Sequence, residues 1–157
     1  MISLFVLVAL LLGCTHAGQT RPSNMEQDQV ASIVAALKTD KVSRIEILQI
    51  PSRILYRTRV TSAVLEKDYY LKLTIRYFHD SDQFARLVAS LDSTRVELQS
   101  NPADLRWGLI FYSKDDSRIG AFFFDQTGSR GAVNGTPVSI DGTLFKWVGD
   151  TFSNCFR

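Results

Sequence analysis

The sequence predicts an α+β fold in a single domain: a mostly antiparallel sheet of five to seven strands with two or three helices packed on it. Three observations predict it. Runs of period-two alternation recur along the chain, helical spacing appears at its start, middle and end, and the strand-like runs of the C-terminal half are separated by short turn sequences rather than crossovers.

Val30, Ile33, Val34 and Leu37 recur at helical spacing behind polar Glu26 to Asp28, which predicts an amphipathic helix over 26–38. Ile45 and Ile47 alternate with Arg44 and Glu46 up to Pro51, and Arg53 to Val60 alternates as well, so two strands are expected. In the second, Ile54, Tyr56, Thr58 and Val60 would face one way and Arg53, Leu55, Arg57 and Arg59 the other. Thr61 to Lys67 has room for one helical turn. Tyr69, Leu71, Leu73, Ile75 and Tyr77 then alternate with Lys72, Thr74 and Arg76, the clearest strand in the chain. Asp80 or Ser81 caps a second helix reaching Leu91, with Phe84, Leu87, Val88 and Leu91 on one stripe.

The C-terminal half reads as a meander. Trp107 to Tyr112 and Ile119 to Phe124 are apolar at nearly every position, as central strands covered on both faces are. Asp115-Asp116-Ser117, Gly128 to Gly131 and Asn134-Gly135 supply the turns. Asn134-Gly135 is the strongest of them, because a type I′ turn needs two residues that tolerate positive φ. Asp141-Gly142 opens a last helix with Leu144, Trp147, Val148 and Phe152 on its apolar stripe.

Ahead of the domain, Ile2 to Leu12 contains one polar side chain, Ser3. At about 1.5 Å of rise per residue such a run is too short to span a bilayer core of about 30 Å. Leu11-Leu12-Gly13-Cys14 at its end resembles the signal of bacterial lipoproteins. That resemblance implies acylation of Cys14 (palmitate among the acyl groups), Cys14 as first mature residue, and, with Thr15 rather than Asp after it, an outer-membrane address facing the periplasm. Two features depart from the pattern. No Lys or Arg precedes the apolar run, which leaves the true translation start open, and Thr15-His16-Ala17 offers a rival cleavage site that would release a soluble periplasmic or secreted protein. On the lipoprotein reading, residues 1–13 are the signal peptide, 14–28 a polar tether containing Pro22 and Asn24, and 29–157 the domain. About 140 mature residues suffice for one core.

Composition excludes much. All 18 cations and 16 acids lie beyond residue 13, and a formal charge of +2 argues against a nucleic-acid footprint. Residues 15–78 hold ten Lys/Arg against six Asp/Glu, residues 79–157 eight against ten. That gradient could steer a charged partner, though such an imbalance is more often just a solvated surface. Cys14 and Cys155 cannot pair if Cys14 carries lipid, which leaves Cys155 as a small apolar side chain near the C-terminus. His16 and His79 are the only histidines and no Ser carries a nucleophile signature, so a Ser-His-Asp triad has no support. His79 beside Asp80 and Asp82 reads as an exposed loop histidine. Zinc spacing and a phosphate-binding loop are absent, and Asp115-Asp116 reads as a turn, so no metal or cofactor is expected. Gln126 interrupts what would be an Asp-Thr-Gly protease signature at Asp125, whose expected task is to bond the backbone amides of its hairpin.

The stretch Phe124 to Val133, ending in Asn134-Gly135, resembles a hairpin of small uncharacterised bacterial envelope proteins; about a dozen residues carry the likeness. It bears on the fold rather than on function. Arg53, Arg57 and Arg59 are the cluster singled out for binding, since on a strand they would form a row able to grip carboxylates or phosphates bidentately. The commoner use of such charges is to keep an exposed edge strand soluble. The expected function is a membrane-tethered, non-catalytic protein-binding module of the envelope, inhibitor- or immunity-like or accessory, with an unidentified protein partner. The alternative is a small extracytoplasmic hydrolase using carboxylates such as Glu66, Asp80 or Asp125.

Overall fold

The computed structural model describes residues 25–76 and 81–155, the last two by backbone alone. The elements are α1 (Met25–Lys38), β1 (Val42–Gln49), α2 (Ser62–Asp68), β2 (Leu71–Arg76), α3 (Asp82–Ser93), β3 (Arg95–Leu98), β4 (Trp107–Ser113), β5 (Arg118–Phe124), β6 (Arg130–Val133), β7 (Thr136–Asp141) and α4 (Leu144–Cys155). All seven strands join one sheet in the order β2-β1-β4-β5-β6-β7-β3, and every neighbouring pair is antiparallel. The α+β expectation holds, with four helices among the described residues because the turn expected at Thr61 to Lys67 closes into α2.

Local chemistry sets the element ends. The Thr61 and Ser81 hydroxyls accept from the amides of Val64 and Phe84, capping α2 and α3. Asn134 (φ 49°) and Gly135 (φ 94°) form the positive-φ pair that joins β6 to β7. Gly131 answers a different need: a β-carbon there would lie 1.9 Å from the carbonyl oxygen of Phe123 on the neighbouring strand.

Because strand side chains alternate, a fully covered strand feeds two cores. Leu109 and Phe111 of β4 and Phe122 and Phe124 of β5 join α1, α3 and α4 in the larger core, with Ile33, Leu37, Leu87, Leu91, Leu144 and Val148. Ile110, Ala121 and Phe123 point the other way, into a smaller core completed by Leu48, Ile50, Val60, Leu65, Ala103 and Leu105. The unbroken apolar runs of β4 and β5 thus mark strands buried on both faces.

Two expectations are corrected, and one strand is added. Arg53 to Val60 is not a strand: it is an irregular segment crossing the second face of the sheet, although Val60 is buried and Ile54 and Tyr56 pack against the smaller core as their alternation implied. No strand lies alongside it, so its alternation has no ladder to serve. α1 begins at Met25 and takes in residues assigned by composition to the tether. β3, an edge strand with Val96 as its one buried residue, was not foreseen. Its backbone is tied to α1 by the Gln27 amide, which donates to Thr94 O (3.2 Å) and accepts from Val96 N (3.1 Å). The expectations at Cys14, Ala17, His79 and Asp80, with the signal and residues 14–24 of the tether, lie outside the described residues.

Candidate partner-binding loop

Between β1 and α2 the chain has no regular secondary structure, so its backbone groups must find partners elsewhere. Two side chains supply them. The Arg106 guanidinium, only 11% exposed, donates from Nη1 to Ile54 O (2.8 Å) and from Nε and Nη2 to Asp104 Oδ2 (2.9 and 2.6 Å). Asp104 Oδ1 accepts from Val60 N (2.7 Å). Backbone bonds from Ile50 N to Arg106 O and from Leu105 N to Val60 O complete the frame, and Arg106 N donates to Phe124 O at the end of β5. The loop is braced at its start, middle and end to residues 104–106, which lead directly into β4.

What the frame displays is unusual for a solvated loop. Leu55 is 88% exposed, next to half-buried Ile54 and Tyr56, while Arg53, Arg57 and Arg59 are all exposed. Arg59 donates weakly to Pro102 O (3.4 Å). The Tyr56 hydroxyl donates to Asp68 O (3.4 Å), which lays the loop beside the end of α2, where Tyr69 and Tyr70 are 40% and 60% exposed. Tyr70 N in turn donates to Gln49 O at the end of β1. Leu55, Tyr69, Tyr70, Arg53 and Arg57 therefore belong to one end of the molecule. Tyr and Arg are the residue types over-represented at energetically dominant interface positions. Sequence alone named the arginines but gave them the wrong backbone; it put Leu55 on their outward face without marking it for binding, assigned Tyr69 to a strand, and left Tyr70 without a role.

Of the carboxylates named for hydrolysis, Asp80 lies outside the described residues, and Glu66 and Asp125 do not converge. Glu66, on α2, forms a two-oxygen pair with Arg118 (2.9 and 3.1 Å) at the start of β5. Asp125 lies beyond the far end of that strand, where its Oδ1 accepts from Thr127 N, Gly128 N and the Thr127 hydroxyl (3.0, 2.7 and 2.9 Å), the hairpin closure expected of it. In the β4–β5 hairpin the Ser113 and Ser117 hydroxyls donate to Asp115, holding its carboxyl below the usual range. Tyr112, at the end of β4, is shifted upward by burial first and by Glu46 second. Among the described residues no cluster of His, Cys, Asp and Glu has the makings of a metal site, and no helix is long and apolar enough to cross a membrane. Compared with protein-family models, characterised proteins and solved structures, the chain matches none.

Proposed function

We propose that this chain is a non-catalytic protein-binding module of the bacterial envelope, tethered by lipid on Cys14, and that the Pro51 to Val60 loop is its docking surface. A lipid-anchored inhibitor- or immunity-like protein acts by occupying its partner, and that requires a preorganised surface rather than a cleft. The observation carrying the reading is Leu55, 88% exposed between exposed Arg53 and Arg57 on a loop clamped by Arg106 and Asp104. Ordering a loop before binding removes an entropic cost of association, and a rigid loop on a buried scaffold is the usual way of doing so. The charged flanks suit an acidic partner surface through steering and bidentate pairing.

The test is affinity capture from crosslinked envelope of the presumed host. Full-length wild type is compared with Leu55→Asp, with the Arg53, Arg57 and Arg59 triple Ser variant, and with Cys14→Ser, and the mass of each bait is recorded. One stoichiometric partner lost in both loop variants, and a lipid-sized mass on wild type missing from Cys14→Ser, are the expected results. A partner retained undiminished by both loop variants would move the docking surface elsewhere. An unlipidated wild-type bait would remove the tether.

A further inference from the structure

The β1–β2 register sets Arg44 directly opposite Arg76. Residues paired in register share a face, and like charges in that relation destabilise a sheet unless something stands between them. The two guanidiniums are not equivalent. Arg44 is fixed: its side chain is 17% exposed, Nη1 donates to Asp116 Oδ1 (2.8 Å), and the guanidinium lies 4.1 Å from the centre of the Tyr112 ring. Its Nε lies 3.4 Å from Glu46 Oε1, buried and without a hydrogen bond. Arg76 has no ion-pair partner among the described residues. Glu46 is held by Lys72 at 2.7 Å and Asp40 pairs with Lys114 at 3.0 Å. The cations Arg44, Arg76 and Lys114 thus meet Asp116 at this end of the sheet, and Asp116 pairs with Arg44. Ser43, Arg44, Arg76, Lys114 and Asp116 line a cavity of about 270 Å³ at this spot.

We propose that this cavity is a binding site for a small monocarboxylate, gripped between the guanidiniums of Arg44 and Arg76 with the Lys114 ammonium beside them. Three cations against the one carboxylate of the lining favour an anion, and two guanidinium forks match the two oxygens of a carboxylate. The volume falls just under the roughly 300–1,000 Å³ typical of pockets for drug-sized ligands, so the occupant is small. The site sits at the far end of β1 from the Pro51 to Val60 loop and does not rest on the docking role proposed for that loop.

Sodium acetate titrated into the full chain at constant ionic strength, with chloride as the balancing anion, tests this through the arginine Nε–Hε signals in two-dimensional NMR. The Arg44 and Arg76 signals should shift together and saturate at one midpoint. Arg76→Gln should weaken that midpoint at least tenfold, Arg76→Lys should retain binding, and Arg86→Gln, an arginine on α3, should change nothing. Inorganic phosphate under the same conditions should not bind more than tenfold tighter than acetate. Shifts that follow ionic strength without saturating, an unshifted Arg76, an undiminished affinity in Arg76→Gln, or a clear preference for phosphate would each overturn the assignment. Circular dichroism of the variants shows that they are folded when the titrations are read.

Discussion

Glu46 shows how a single side chain organises a sheet face. It is 8% exposed in the middle of β1, and its carboxylate stands between Lys72 and Arg44, so removing it takes the ion-pair partner from Lys72 and leaves Arg44 to Asp116 alone. Breaking a fully buried pair costs about 3–5 kcal/mol; with Lys72 a third exposed, about 1–3 kcal/mol is the discounted expectation for Glu46→Ala, read from urea unfolding. Tyr112 carries a pH signature. Burial and Glu46 hold its folded pKa above the unfolded value, so near pH 10 the unfolded chain loses the phenolic proton first. The native state then holds more protons, and stability falls as pH rises from there through the folded value. Tyr112→Phe should flatten that alkaline loss, measured as thermal unfolding between about pH 9 and 11. Gly131→Ala is expected to prevent folding or to cost more than about 3 kcal/mol, because the new methyl meets a strand backbone that cannot move aside. Of these sites the Asn134-Gly135 turn and the Asp125 closure were legible in the sequence, since both are local. The Glu46–Lys72 pair was not, because it depends on a strand register that only the fold sets.

Among elements, those with a sustained period were the legible ones. β2, α3, α4 and the doubly covered β4 and β5 follow directly from alternation, helical spacing or unbroken apolar runs. The Pro51 to Val60 segment shows where period fails. Its alternation is real and Ile54 and Val60 do turn inward, yet the backbone bonds go to Arg106 and Asp104, more than forty positions away, in place of a neighbouring strand. β3 was missed for the opposite reason, being a four-residue edge with a single buried side chain. If Arg106 braces the loop, Arg106→Ala should raise the amide exchange rates of residues 53–59 by tenfold or more. Exchange in β4 and β5 should stay nearly unchanged, and the stability loss should be about 1–3 kcal/mol, chiefly for the Ile54 carbonyl left without its donor, since the half-exposed Asp104 carboxylate keeps Val60 N. Exchange that rises equally in the central strands would mean that Arg106 supports the core and not the loop.

At the scale of the whole molecule, two cores of unequal size share β4 and β5. The larger is roofed by α1, α3 and α4, and the smaller by α2 with the irregular segments 50–60 and 103–106, which are bonded to each other. The loop belongs to that second roof, which explains how an irregular segment can be rigid: Val60 and Ile50 are fully buried beneath it. The docking account therefore predicts contact at one end of the molecule only. The most direct measurement places a photocrosslinking residue at Leu55 in the full-length protein and, separately, at Leu98, the 62% exposed leucine of edge strand β3. Illumination in the envelope of the presumed host is followed by gel shift and mass spectrometry. A single defined adduct from position 55 and none from position 98 is the predicted result. No adduct from position 55, or the same adducts from both positions, would contradict it.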